Sequence, residues 1–502
     1  MILPLYKPFQ NEWLTFGAFL IAIFSLIGIT EILRLRLFLT SEASRKLIHL
    51  LVGLMVTLCP FIFSSNLQPM ALALVFILIN ATAVKSNALK SIHAINRKTY
   101  GTVYFPLAFL LLVAFWWEKP ITLVLSMMVL TFSDTFASYM GKHKKNILKY
   151  RLWYDEKSFQ GSAAMFLSAA MIIYTGTDFF LWLFHASFFI PLDVLVGCAV
   201  FTGGIATIGE AISREGSDNL SIPLVTAVSY DLYLIEYTHG RLPLLVIWTL
   251  GSGLIFYLAY KYRSLTVDGA VTAMIMGIFI FGAGGWPWIA PMVVFFILSS
   301  ILSKIGKKSQ GTHQKGSNRD WAQVMANGVV PMIICLINFY YPFNHAYIFY
   351  LGAIAAATAD TWATEIGSFS CTIPRHILNL NPVEKGTSGG VTLLGFLGSL
   401  LGASTISFVG SFWMSSEVLP ESKLVAMVGI IAAGFIGSLV DSILGGSAQA
   451  MFRCAICNKE TEKRIHCSVH TDHIYGFKWL DNDGVNFINT IIGAAMADII
   501  FC

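Results

Sequence analysis

Two runs of nine residues, SDTFASYMG at 133–141 and ADTWATEIG at 359–367, each place a carboxylate late in an apolar stretch. They share the frame Asp-Thr-aromatic-Ala-Ser/Thr-x-x-Gly, with Asp134 and Asp360 at its head. Downstream of the first comes EKSFQGSAAMF, with Lys157 and Gly161, and of the second EKGTSGGVTLLG, with Lys385 and Gly389. Lys157 follows Asp134 by 23 residues and Lys385 follows Asp360 by 25. A third element has Glu210 in ATIGEAIS and then Asp218-Asn219 in SDNLSIPL. Its counterpart has Asp441 in SLVDSILGG and then Asp481-Asn482 in LDNDGVNF. Three ordered elements at matched spacing predict a duplicated chain whose second copy carries an insertion.

A carboxylate near the end of a membrane span is unfavourable unless paired, hydrated or bound to a metal. A structural acid hydrogen-bonded between helices is the competing reading for one such residue, and recurrence beside Lys and Gly favours function. The stretch Lys385, Gly386, Thr387, Ser388, Gly389 offers a point charge and backbone N–H groups to phosphate oxygens. A plain glycine-rich turn competes with that, and the absence of G-x-x-x-x-G-K-[ST] excludes a P-loop. Acids and amides ligate Mg²⁺, and a remaining carboxylate accepts a proton from a hydroxyl. Together these parts suit phosphoryl or nucleotidyl transfer to a lipid at one membrane face. Arg319, Gln323 and Asn327, at i, i+4 and i+8, are expected to form one helical stripe lining the nucleotide site or contacting another helix.

The insertion reads CAICNKETEKRIHCSVHTDH. Cys454-x2-Cys457-x9-Cys467-x2-His470 has the paired spacing of a compact zinc ribbon, with His466 and His473 as substitutes for His470. A metal-free loop competes, and the first half lacks the segment, so any zinc is structural. His49, His93, His143 and His376 border basic loops and are read as solvated surface.

These groups need a scaffold, and composition supplies it. Of 502 residues, 56% are hydrophobic and 12% charged, against about 25% charged in soluble domains. Mean hydropathy is +0.69. Apolar stretches of about 20 residues recur, so the expected fold is an all-α polytopic membrane protein of roughly 14–16 spans. Lys and Arg gather at 34–46, 85–98, 142–157, 261–263, 304–319, 375–385 and 453–478. The positive-inside bias makes those loops cytoplasmic, with the inner membrane the site if the chain is bacterial. The repeated elements all abut such loops, which predicts two parallel repeats, 1–240 and 241–502, with the insertion at 451–478. No nucleic-acid partner is expected.

Further stretches carry a resemblance. SRKLIHLLVG (Arg45, Lys46, His49), YGTVYFPLA, SDTFASYMGKH, EKSFQGS and SDNLSIPL make the first half similar to the phytol kinase and dolichol kinase family. The second half resembles the phytyl-phosphate kinases, long described only as a transmembrane domain of unknown function. The stretches that carry this are SLTVDGAVTAMIMG, FGAGGWPW, LSSILSKIGKK, RDWAQVMANG, TADTWATEIG, EKGTSGGVTLLG and WLDNDGVN. The resemblance implies transfer from CTP, or UTP or ATP, to a prenyl alcohol such as phytol. A second phosphorylation would give the diphosphate used for prenylated quinones and tocopherols.

The resemblance also implies roles. Asp134 would take the Mg²⁺–nucleotide, Lys157 the phosphates, and Glu210, Asp218 and Asn219 metal or acid–base work. In the second half Asp360, Glu365, Lys385, Asp441, Asn482 and Asp483 would match them, although Tyr139 stands where Glu365 does. A lipid cytidylyltransferase is the rival enzyme. A transporter of parallel repeats is the rival from another class, disfavoured because its polar sites would sit near mid-membrane.

Overall fold

In the computed structural model the described residues are 5–37, 40–86, 100–142, 147–152, 155–184, 190–310, 318–414 and 420–501. His93 and His143 lie outside them. The chain is an all-α polytopic membrane protein that folds as two compact units, Met1–Pro243 and Leu244–Cys502. Among the described residues, 12 helices are long and apolar enough to cross a membrane. The stretch Val267–Ile305 counts once among these, although Gly285 (φ 67°) breaks it into two runs.

The first unit runs α1 (Glu12–Arg36), α2 (Ser41–Thr57), α3 (Cys59–Ile62), α4 (Leu67–Ser86), α5 (Gly101–Trp116) and α6 (Pro120–Met128). A π-helical turn, Val129–Asp134, leads into α7 (Thr135–Met140). Then come the hairpin β1 (Lys149–Arg151) and β2 (Glu156–Ser158), α8 (Phe159–Leu183), α9 (Leu192–Ala211) and α10 (Asp218–Thr238). The second unit runs α11 (Leu242–Lys261), α12 (Val267–Gln310), α13 (Trp321–Tyr340), α14 (Ala346–Gly367), β3 (Arg375–His376), β4 (Gly390–Val391), α15 (Leu393–Ser411) and α16 (Pro420–Ser447). Five short strands follow: β5 (Met451–Arg453), β6 (Glu460–Thr461), β7 (Ile465–His466), β8 (Val469–His470) and β9 (Asp472–Tyr475). Helix α17 (Asn482–Phe501) closes the unit.

Without a hydrophobic drive inside a bilayer, helices associate where small residues let backbones approach. The outward sides are correspondingly apolar: α8 exposes Leu167, Met171 and Trp182 while burying Ala169, Ile173 and Thr177. Helix α8 starts at Ser158, whose Oγ accepts from the Gly161 N–H at 3.1 Å. A Cβ on Gly161 would meet the Ala137 carbonyl at 3.2 Å and the Gly141 Cα at 3.5 Å. The second unit has the same device, with Thr392 Oγ1 accepting from the Gly395 N–H at 3.0 Å. There Gly395 faces the Ala363 carbonyl at 3.2 Å and the Gly367 Cα at 3.7 Å. Gly161 and Gly395 thus make the same kind of local contact, whereas Gly389, which follows Lys385 in the sequence as Gly161 follows Lys157, packs against Gly446.

Helices α14 and α16 run parallel and α17 runs against both. A Cβ on Gly437 would lie 2.7 Å from the Ala356 methyl, and beside Asn489 of α17. Adding bulk there forces three helices apart. Gly437→Val is expected to destabilise the protein by about 1–3 kcal/mol in detergent thermal unfolding. Gly429→Ala, whose Cβ meets its nearest neighbour at 3.5 Å, should be neutral.

Candidate functional site

Successive antiparallel helices bring alternate ends to the same level. In the first unit this gathers the π turn, the start of α8, the end of α9 and the start of α10. π turns inside α-helices mark functional positions often enough to direct attention to Asp134, which closes this one. Asp134, Lys157, Glu210, Asp218 and Asn219 all line one cavity of about 1050 Å³. Lys157 Nζ donates to Glu210 Oε1 in an ion pair whose side chains are 17% and 11% exposed. Burial opposes the Lys157 charge, but Glu210, Asp218 and Asp134 outweigh it and hold the ammonium above its ordinary value.

The turn between α9 and α10 is built to present Asn219. Its Nδ2 donates to the Gly216 carbonyl at 3.1 Å and to Asp218 Oδ1 at 3.0 Å. The Tyr100 N–H donates to the Glu215 carbonyl at 3.0 Å, pinning the start of α5 on that turn. A Cβ on Gly101 would come 2.9 Å from Asn219 Nδ2, so a side chain there would push that amide aside.

Helix α2 adds residues that were not assigned to the site from their chemistry. Arg45, His49, Val52 and Val56, spaced i, i+4, i+7 and i+11, line the cavity from its charged mouth inwards. His49 is therefore not solvated surface: its Nε2 lies 3.4 Å from the Leu130 carbonyl in the π turn. Its ring meets Phe105 edge-on at 5.2 Å between centroids. Beyond His49 the lining becomes apolar, through Ile23, Ile27, Leu72, Phe76 and Phe109. The cavity has one charged end and one hydrocarbon end.

In the second unit the packing of Ala356, Gly437 and Asn489 fixes a level. One turn further along lie Asp360 on α14 and Asp441 on α16, and about two turns before Asn489 on α17 lie Asn482 and Asp483. Glu365 Oε1 accepts from Ser303 Oγ at 2.6 Å. Four expectations change in this unit. Helix α13 begins at Trp321 behind the cap Asp320, so Arg319 precedes it and the three-residue stripe shortens to Gln323 and Asn327. Asn327 Nδ2 donates to the Gln323 carbonyl at 2.9 Å, within the same helix. Arg319 instead bridges to Leu265, and its guanidinium lies 5.6 Å from the Phe295 ring centroid. Burial lowers its pKa, which the Glu365 charge partly opposes.

The GTSGG run does not open a helix. The Thr387 and Gly390 N–H groups go to the Glu384 and Thr387 carbonyls, and β4 follows before α15 starts. Gly386 (φ 87°) and Gly389 (φ 75°) hold left-handed turns, and Gly389 abuts Gly446 of α16. Lys385 Nζ donates to the Ser370 carbonyl at 2.6 Å, and Ser388 Oγ to Glu462 Oε1 at 2.6 Å. The N–H of Gly161 is likewise occupied by its cap, so that glycine serves close packing rather than anion binding. His376 packs its Nε2 toward Gly446 and is half-buried, not solvated. In the insertion the donor atoms of Cys454, Cys457, His466 and Cys467 lie within 4.8 Å of one another, and His470 is not among them.

Comparison with known proteins fits this architecture. A family model described as "Integral membrane protein DUF92" matches residues 250–494. Protein PGR of Arabidopsis thaliana is 32% identical over 272 residues, covering 49% of this chain and 93% of its own length. An uncharacterized membrane protein of Methanocaldococcus jannaschii is 32% identical, covering 48% and 88%. A phytol kinase of Synechocystis is 29% identical over 196 residues, covering 38% and 78%. No solved structure matches the chain.

Removing one partner of a buried ion pair strands the other charge. Lys157→Met is expected to cost about 3 kcal/mol, with a smaller loss when Glu210→Gln is added. Because the folded Lys157 titrates above its ordinary value of 10.5, its contribution is complete below that pH and lost as pH rises further. The wild-type and Lys157→Met melting temperatures should therefore stay separated from pH 7 to 9 and converge only under strong alkali.

Proposed function

Starting from a chain that belongs to the DUF92 family of integral membrane proteins, we propose a membrane-embedded prenyl alcohol kinase. The observation that carries this reading is the 1050 Å³ cavity of the first unit. Ordinary ligand pockets run about 300–1000 Å³, and this one pairs charged groups with a hydrocarbon slot. A prenyl alcohol such as phytol has that polarity. The similarity to phytol kinases supports the same substrate class.

In this reading the hydroxyl oxygen attacks the terminal phosphorus of a nucleoside triphosphate, with CTP the expected donor. A C–O–P linkage forms, the bond from phosphorus to the bridging oxygen breaks, and the nucleoside diphosphate leaves. The hydroxyl proton passes to Asp218, while Glu210, released as Lys157 turns to the phosphates, is left for the cation. Lys157, with Arg45 at the mouth, holds phosphate oxygens and offsets their charge. Asp134 and Glu210 are hard oxygen donors that fit Mg²⁺, which when bound would neutralise phosphate charge. Nucleotide supply puts the charged end on the cytoplasmic side.

The second unit is read as a diverged copy acting on the monophosphate. What supports this is the shared cap-and-glycine contact of Ser158–Gly161 and Thr392–Gly395. The matched pairing of Gly203 with Ala170 and of Gly434 with Ala403 points the same way, because Glu210 and Asp441 each follow that glycine by seven residues. Asp360, Asp441, Asn482, Asp483 and Glu365 then supply its acids and amide, and Lys385 its cation.

The test is incubation of purified protein with Mg²⁺, phytol or geranylgeraniol, and CTP labelled at either the γ or the α phosphate. Label from the γ position should appear in a monophosphate and then a diphosphate. Asp134→Asn should cut the first product by about 10²-fold or more, and Asp360→Asn only the second. Label entering lipid from the α position would mean cytidylyl transfer, and no labelled lipid with any nucleotide would end the kinase reading. Val56→Trp, which fills the slot, should raise KM for a twenty-carbon alcohol about tenfold and spare a ten-carbon one.

A further inference from the structure

We infer that Cys454, Cys457, His466 and Cys467 form a closed tetrahedral zinc site that clips the segment 451–478 onto the loop carrying Lys385. The donor set is three sulfurs and one imidazole nitrogen, all within 4.8 Å of one another. His466 Nδ1 lies 3.5 Å from Cys457 Sγ and 3.3 Å from Cys467 Sγ. Tetrahedral zinc at its usual bond lengths separates sulfur and nitrogen ligands by roughly 3.5 Å. Soft thiolates with one imidazole select zinc over the hard cations that carboxylates favour.

Two turns deliver the four ligands. In the first, the Asn458 N–H donates to the Cys454 carbonyl at 2.9 Å and the Cys454 N–H to the Lys459 carbonyl at 3.0 Å. Asn458 (φ 54°) takes the left-handed position that closes it. The second is the two-residue turn of the β7–β8 hairpin, where Cys467 (φ 50°) and Ser468 (φ 62°) are both left-handed. That pattern normally selects Asn-Gly. A cysteine held there is strained, because its Cβ crowds the following carbonyl, and such strain persists where something else fixes the geometry.

The same hairpin explains the choice of histidine. Ile465 pairs with His470 and His466 with Val469. Adjacent strand residues point to opposite faces, so His470 is turned away from the side on which His466 meets the thiols. His473 is engaged in β9, with its Nε2 3.0 Å from the Gly476 carbonyl.

Five strands of two to four residues bury little apolar surface, and a metal supplies what so small a core cannot. The clip has a reach beyond itself. Glu462, between β6 and β7, accepts from Ser388 Oγ at 2.6 Å, in the turn that follows Lys385. Fixing the hairpin fixes Glu462, and Glu462 holds that turn. This assignment stands whether or not the chain is a kinase.

The test is elemental analysis of the full-length protein purified in detergent, with cobalt exchange as a second readout. One zinc per chain is expected, with tetrahedral cobalt–thiolate bands after exchange. His466→Ala should lose most of the metal and His470→Ala none. Chelation of the wild type should speed trypsin cleavage after Lys385 on the order of tenfold. A metal-free wild type that also fails to give the cobalt spectrum would overturn the site. Equal loss in the two histidine variants would overturn the ligand assignment, and bound iron the choice of zinc.

Discussion

Carboxylates inside a membrane bundle must be met by opposite charge, hydrogen bonds or bound cations, and most of the first unit's architecture answers that requirement. The Lys157–Glu210 ion pair joins a short hairpin to the end of α9, where both side chains are largely out of water. Asp134 and Asp218 face the same space. Left uncompensated, two such acids beside one pair would be unfavourable by several kcal/mol. In the proposed kinase reading a phosphate-bearing ligand with its divalent cation would rebalance this set. In that reading the ion pair is a resting state, and Lys157 would exchange Glu210 for phosphate.

What permits the acids to converge is the absence of side chains around them. Gly141 and Gly161 let α7 and α8 approach at the level of the hairpin, and Gly101 lets α5 rest on Asn219. In the second unit Gly352, Gly437 and Gly493 bring α14, α16 and α17 together one turn from Asp360 and Asp441. The chemistry-bearing residues sit at helix ends, and the glycines a turn or two away set how close those ends come. Function and packing are one design problem here.

The bundle, and in the first unit the convergence of Asp134, Glu210 and Asp218 on one cavity, were legible in the sequence, because apolar length and intramembrane charge are strong signals. The capping contacts were not. Glu-Lys recurs as text, whereas the local contact that recurs is Ser158-x-x-Gly161 and Thr392-x-x-Gly395, a capping pattern just before an apolar run. His49 looked solvated because one histidine beside basic residues carries no sign of the face it occupies. Read with Arg45, Val52 and Val56 at helical spacing, it would have stood on a single stripe. Arg319 was miscounted into a helix because Asp320, a strong cap, was overlooked. His470 fitted a spacing rule, and the two-residue turn that hands the position to His466 shows only in backbone geometry.

In the proposed kinase reading the hydrocarbon end of the first unit's cavity holds a prenyl tail with its oxygen beside Asp218. The most direct measurement is photocrosslinking with a long prenyl alcohol carrying a diazirine at its far end, followed by peptide mapping. The account predicts labelling within 48–56 of α2 and 72–79 of α4, abolished by excess phytol and strongly reduced in Val56→Trp. Labelling confined to lipid-facing residues such as Leu167 and Met171, and indifferent to phytol, would contradict it.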